Sequence, residues 1–242
     1  TWISGTVWGE CSYNNNSGYG HKLSTAPDTE RHQLMIGAQK HVEYFTGVNF
    51  SNVSTAATNN ASAPIGIFSN YYGTKNSSMR LYNMKVYEND TLVHYFVPVP
   101  AGLEIGDYTV PENGLFDIVE QQFYGNAGAG HFGISNLKNS VQYYGDVYTY
   151  DIDGNLVDAD SRVALESTGT QYIKTDYTAN PNTKIYADYR MNSTNAQQYI
   201  FGSWAGSGYD TSKNLCFVAY INGSGTSGKW AECSYDNTSG SG

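Results

Sequence analysis

Apolar and polar positions alternate along this chain in short runs, and no stretch sustains a helical period. The clearest pair of runs is Met79–Tyr87, which leads into Glu88-Asn-Asp90 and returns as Thr91–Val99. Asn-Asp supplies the turn chemistry of a hairpin. Pro98 and Pro100 predict that the return strand ends there or lies at an edge. Gln33–Ile36 and His41–Phe45, with 37–40 between them, predict a second hairpin, and 114–119 with 122–124 a third. Pro64–Phe68 reads as a short buried strand, and further strands are expected at 171–174, 183–189, 198–201 and 215–221. Residues 46–62, rich in Ser, Thr, Asn and Ala, read as loop or irregular edge. Asn126-Ala-Gly-Ala-Gly130 reads as a loop whose glycines permit positive φ. Residues 138–160 read as a connector carrying a small hairpin turned at Asp153-Gly154. The expected fold class is all-β.

One stretch occurs twice. Residues 8–20 (WGECSYNNNSGYG) and 230–242 (WAECSYDNTSGSG) are identical at nine of thirteen positions, at a constant offset of 222. That is an internal repeat whose period is nearly the length of the chain, so the chain begins and ends within a unit.

Composition narrows the class. Charged residues make up 14% of the chain, so Asn, Ser, Thr and Gly must supply its polar surface. With 22 Tyr and 26 Gly against 6 Pro, the mix suits short strands and many turns, and it is common in extracellular or virion surface proteins. The net charge of −9 and the lack of a basic cluster disfavour nucleic acid as a partner. No apolar run approaches the ~18 residues of a membrane span.

The three cysteines are an odd number. Cys216 and Cys233 flank Asn222–Gly228. With Ile221 opposite Lys229, Cys216 faces Ser234, and a one-residue adjustment of the loop brings Cys233 opposite it. A disulfide between them is geometrically open, and so are two buried thiols. Cys11 is the repeat equivalent of Cys233, so its expected partner, the equivalent of Cys216, falls before the first residue. The odd count then follows from where the chain is cut.

Several segments together resemble one family. Leu81–Val93, Phe96-Val-Pro98, Gly114-Leu-Phe-Asp117 and Phe123–Gly130 resemble the C-terminal half of a laminin-G-like, concanavalin A-like jelly roll of bacterial surface or phage proteins. Leu165–Ile173 and Phe201-Gly-Ser-Trp204 resemble the start of the same domain. The resemblance implies a β-sandwich read out of phase. Residues 1–137 would be the C-terminal part of a jelly-roll unit, 138–160 a connector, and 161–242 the N-terminal part of a unit. A tandem array cut out of phase, a circular permutant, and halves completed by neighbouring chains all fit that order. The duplicated strand counts against the last two.

The fold has glucanase members, which need two carboxylates placed as acid and as nucleophile or base. Glu104-Ile-Gly-Asp107 has the wrong spacing for that, and Asp188 stands alone on its strand, so no enzyme is expected. Asp151, Asp153 and Asn155 alternate as hard oxygen ligands that suit Ca²⁺. Gly154 comes too early for an EF-hand loop, the closing Glu is missing, and an Asp-Gly turn explains the same residues more simply. No cofactor is expected, calcium being the one weak candidate. His32 and His41 read as polar positions facing each other across their hairpin.

Glycan binding is the activity that the resemblance brings. Sugars stack on exposed aromatic rings while Asn, Asp and backbone groups bond their hydroxyls, and the candidates are Trp2, Tyr71, Tyr72, Trp204 and Tyr209. Packing of the same rings in core or edge is the competing explanation. The expectation is a non-enzymatic extracellular structural or adhesive repeat, on a cell surface or virion fibre, whose partners are neighbouring copies of itself. The alternative is a carbohydrate-binding module.

Overall fold

The computed structural model describes residues 7–11, 20–22, 27–37, 41–49, 60–74, 76–135, 163–193, 198–203 and 215–220. All regular structure among them is β-strand. In chain order the strands begin with β1 (Val7–Cys11), β2 (Gly20–Lys22), β3 (Arg31–Gly37), β4 (His41–Phe45), β5 (Val48–Asn49) and β6 (Gly66–Ile67). They continue with β7 (Ser78–Glu88), β8 (Thr91–Val99), β9 (Glu104–Ile105), β10 (Tyr108–Thr109), β11 (Gly114–Asp117) and β12 (Gln122–Tyr124). The last are β13 (Gly133–Ser135), β14 (Ala164–Thr168), β15 (Ile173–Lys174), β16 (Thr183–Met191), β17 (Gln198–Gly202) and β18 (Cys216–Tyr220). The all-β class holds, with antiparallel pairing throughout the ladders described below.

The strands form a larger sheet with the path β12-β11-β8-β7-β16-β3-β4-β5, a second sheet ordered β15-β6-β17-β18-β1-β2, and the small β9–β10 hairpin. The three hairpins expected from sequence pattern are β3–β4, β7–β8 and β11–β12. Asn89 and Asp90 turn β7 into β8 with both φ values positive, +49° and +62°. That is the handedness a two-residue hairpin turn requires, and Asn and Asp tolerate it best after glycine.

Pro98 does not end β8. From Val97 to Val99 the strand pairs only with β11, because its ladder with β7 stops at Phe96. One side of the backbone is thus left where a proline needs no N–H. The free part of that edge of β7 is taken by β14, from Ser78 to Leu81. His41 is opposite Gly37, so it does not face His32. His32 is buried, stacked on Phe45, with Nε2 2.7 Å from Asp28 Oδ1 and Nδ1 2.9 Å from Thr46 Oγ1.

The early and late parts of the chain interleave. β16 lies between β3 and β7, with Ile185 opposite both Ile36 and Val86. β17 and β18 enter the second sheet between β6 and β1. One core joins the two sheets: Leu34, Met84, Phe96 and Tyr189 from the larger sheet meet Ile67, Ile173, Phe201 and Phe217 from the smaller. The Phe217 ring lies 6.2 Å from that of Phe45 and 6.4 Å from that of Tyr189. Alternation breaks at Phe96–Val99, where all four residues are buried, because both faces of β8 are covered there. Phe96 enters the main core, while Val97 and Val99 join Val110 and Phe116 in a second cluster.

An ion pair sits in the middle of the larger sheet. Arg31 reaches diagonally from β3 to Asp188 on β16, with Nε 2.7 Å from Oδ1 and Nη2 2.6 Å from Oδ2. The Arg31 guanidinium also lies 4.2 Å from the centre of the Tyr82 ring on β7, so three adjacent strands meet at one side chain. Asp188 is fully buried. Arg31→Met strands that carboxylate without its counter-charge and should cost about 3–5 kcal/mol in urea unfolding. Adding Asp188→Leu should recover most of the loss, since an apolar pair of similar volume tolerates burial. A double variant as unstable as Arg31→Met would refute this account of the pair.

Candidate functional site

Tyr71 and Tyr72 occupy the middle of a tight turn that follows β6. Gly73 N–H donates to the Asn70 carbonyl at 3.0 Å, and Gly73 holds φ +69°. The buried Asn70 side chain braces the turn: its Oδ1 accepts from Thr74 N–H at 2.9 Å, and its Nδ2 donates to Thr74 Oγ1 at 2.7 Å. Gly66 is required beneath it, because a Cβ there would lie 2.6 Å from the Asn70 carbonyl oxygen. A Cβ on Gly73 would lie 2.3 Å from the ring of Tyr172. That glycine therefore serves both the turn and the seating of a third tyrosine.

The three rings surround an ammonium. Lys174 on β15 pairs with Gly66, and its Nζ stands 5.2 Å from the Tyr71 ring centre, 5.8 Å from Tyr72 and 6.0 Å from Tyr172. All three distances fall within cation–π range. The Tyr71 and Tyr72 rings meet edge to face at 5.3 Å, and Tyr72 keeps 37% of its surface exposed. Tyr172 is held in turn by the loop that resembled a glycine-rich connection. Its N–H donates to Asn126 Oδ1 at 3.2 Å, and its carbonyl accepts from Ala127 N–H at 2.9 Å. Gly128 lets the two backbones close, since a Cβ there would lie 2.2 Å from the Thr170 carbonyl oxygen. The result is a tyrosine platform with a fixed positive charge. Its exposed ring face can stack on an apolar sugar face, and the ammonium can donate to a hydroxyl or carboxylate.

Of the five aromatic candidates, the structure brings Tyr71 and Tyr72 together and adds Tyr172 and Lys174. Trp2, Trp204 and Tyr209 lie outside the described residues, as do Asp151, Asp153, Asn155 and Cys233. Period-2 alternation over Gln171–Lys174 places Tyr172 and Lys174 on one face, and that signal was available in the sequence. Their approach to Tyr71 was not, because the two segments are a hundred residues apart. Cys216 lies opposite Cys11 in the β1–β18 ladder. The partner position expected before the first residue is therefore filled by Cys216 of the same chain, because β1 returns to β18 rather than pairing upstream.

A second polar group lies on the larger sheet. His94 Nδ1 is 2.6 Å from Asp117 Oδ2, and Asp117 Oδ1 accepts from the N–H groups of Tyr95 and Val119 at 2.9 and 3.0 Å. With Glu120 they form a set whose possible ligand atoms all lie within 4.8 Å of one another. Asp117 Oδ1 accepts two of these hydrogen bonds and Oδ2 one, so most of the carboxylate's accepting capacity is used within the protein. Burial pulls the His94 pKa down, but the hydrogen bond and charge of Asp117, with Glu120 and Asp176 nearby, outweigh it and raise the pKa overall. Burial pushes the Asp117 carboxyl up, and the bonds from His94, Tyr95 and Val119 outweigh that and lower it. Beside this pair, burial and a 2.7 Å bond to Asp176 raise the Tyr124 hydroxyl, which stays protonated. On the opposite face of the same strands, Tyr108, Phe116 and Phe123 line an open cleft of about 640 Å³ with Asp107, Glu120 and Gln122. Nothing in the sequence pattern pointed to it.

No family model, no curated protein and no solved structure matches the chain.

The His94–Asp117 pair makes stability depend on pH in a defined direction. The raised histidine contributes below its ordinary pKa of about 6.5, and that contribution is lost as pH rises through its raised folded value. The lowered aspartate contributes above its ordinary value near 4, and that is lost as pH falls through its depressed folded value. The pair therefore stabilises most between about pH 4 and 6.5. The melting difference between wild type and His94→Gln should peak near pH 5–6 and shrink by pH 9. A difference that is flat from pH 5 to 9 would show that the pair is not ionised as described.

Proposed function

We propose that this chain is a non-enzymatic structural repeat of an extracellular surface or virion-fibre protein, with a jelly-roll sandwich of the laminin-G-like, concanavalin A-like kind, and that its partners are copies of itself. One observation carries this reading. The first copy of the repeated stretch supplies β1, an internal strand of the second sheet between β18 and β2. The chain repeats the sequence of that stretch at residues 230–242. A duplicated structural strand is what units joined in series require. The low charge content and the burial of polar groups in sheet-bracing roles, such as Asp188, Asp117 and Asn70, also suit a scaffold. Small-angle scattering across a concentration series should show particles that lengthen along one axis. A compact monomer at every concentration would overturn the reading.

The tyrosine platform favours a second reading, glycan binding. A ring with an exposed face beside a fixed ammonium suits a neutral or acidic sugar. On a glycan array, with and without Ca²⁺, binding to at least one glycan is expected. Tyr72→Ala should then lower affinity roughly tenfold, the loss of about 1.4 kcal/mol of stacking. Binding to no glycan in either condition would eliminate this reading and leave the first untouched.

A further inference from the structure

The face of the larger sheet turned away from the main core carries a cleft that neither reading above uses. Two short hairpins build it. β9 and β10 pair with Ile105 opposite Tyr108 and Glu104 opposite Thr109, and Gly106-Asp107 makes the turn, with Gly106 at φ +58°. Thr109 Oγ1 donates to Glu104 Oε1 at 2.8 Å. At the base of the hairpin, Gly102 N–H donates to the Val110 carbonyl and Val110 N–H to that of Leu103, both at 2.8 Å. Val110 is anchored in the second cluster, whereas Tyr108 is 42% exposed, with its ring 6.3 Å from that of Phe123.

The second hairpin is β11–β12. Phe116 and Phe123 stand directly opposite each other on it and belong to the second cluster, while their neighbours Leu115 and Tyr124 belong to the main core. Glycines seat the Phe123 ring: a Cβ on Gly114 would lie 2.6 Å from it, and one on Gly125 3.2 Å. The turn of this hairpin is fastened by Gln121, at φ +58°, whose Nε2 donates to the Ile118 carbonyl at 2.6 Å.

The cleft is lined by three aromatic rings, Tyr108, Phe116 and Phe123, and by two carboxylates, Asp107 from one turn and Glu120 from the other. No lysine, arginine or histidine lines it. Neither carboxylate accepts a hydrogen bond or joins an ion pair among the described residues. Glu120 also borders the His94–Asp117 pair on the other face, because its turn joins the ends of both strands.

We propose that this cleft binds an alkylammonium group, carried by a free amine or by a lysine side chain of a partner. Aromatic rings present a negative face, and a cation gains from each face it covers. The two carboxylates add attraction of the same sign. An anion would be repelled by both. An uncharged apolar group would take water from the carboxylates and return no bond. The net charge of −9 extends the attraction beyond the cleft. The same face of the sheet already holds one such contact: Lys85 Nζ lies 4.6 Å from the centre of the Tyr95 ring, and Tyr95 packs against the second cluster.

Amide NMR titration of the intact chain tests this with n-butylammonium, N-acetyl-lysine methylamide and uncharged 1-butanol. The ammonium probes should shift the amides of 105–108 and 116–123 saturably, with Kd on the order of 1 mM. Added salt should weaken the binding, because the carboxylates are exposed. At the same concentrations 1-butanol should give no saturable shift. Saturation by n-butylammonium alone supports the proposal and assigns the cleft to free amines. Saturation by N-acetyl-lysine methylamide alone supports it and assigns the cleft to a lysine side chain. No saturable shift with either ammonium probe overturns the proposal. Equal binding of 1-butanol also overturns it, since the cleft would then be an apolar groove indifferent to charge.

Two substitutions separate the contributions. Tyr108→Leu keeps apolar bulk but removes a ring face, and it should weaken ammonium binding about fivefold. Asp107→Asn leaves a residue equally suited to the turn and should weaken it about threefold. Amides remote from the cleft should keep their positions in both variants. Ammonium affinity unchanged in both would show that the probes bind elsewhere, which overturns the proposal.

Discussion

The larger sheet is organised by a buried charge that it can tolerate only one way. Asp188 lies at the centre of β16, between β3 and β7, where no water reaches it. An isolated carboxylate there would be strongly unfavourable, so its two oxygens must be matched by a planar, two-pronged donor. Arg31 provides it, and its guanidinium rests against Tyr82 on the far strand. The β16–β7 ladder shifts register between Asp188 and Tyr189, so the pair sits at a bulge. This arrangement specifies alignment more than it adds stability. Sliding β16 by one residue against β3 would send Asp188 to the other face and leave both charges unpaired.

Around that centre the chain repeatedly joins distant segments. β16 enters between strands from much earlier in the chain, β3 and β7, and β17 and β18 do the same between β6 and β1 in the second sheet. The tyrosine platform is a product of such joining. Tyr71 and Tyr72 come from a turn after β6, and Tyr172 and Lys174 come from β15, which pairs with β6. Glycines decide how close the pieces come. Gly66, Gly73 and Gly128 stand where a single added carbon would meet a carbonyl oxygen or a ring. Three glycines spent at one surface show how tightly its backbone is packed, whether its role is recognition or support.

The repeated stretch connects fold to proposed function. As β1 it is a working strand with neighbours on both sides, so its duplication near the other end of the sequence duplicates a structural part. The cysteine that looked surplus on counting has Cys216 across the ladder.

Local chemistry was legible in the sequence by itself. Alternation, turn residues and glycine punctuation marked the all-β class, the three hairpins, and the Asn89-Asp90 turn, because these depend on neighbours within a few residues. The repeat, and with it the importance of the first strand, was also visible without coordinates. The tertiary structure decided what depends on distant partners. It carried β8 through Pro98 because β7 leaves that edge, and it buried both faces of Phe96–Val99 because a second cluster covers the outer one. It moved His32 away from His41 to Asp28 and Thr46, and it made Asp188, which stood alone on its strand, half of a buried pair. It gathered Tyr172 and Lys174 to Tyr71 and Tyr72. The physical reason is common to all of these. Periodicity encodes which face of a strand is buried, whereas which strand lies beside it is settled by the packing of the whole chain.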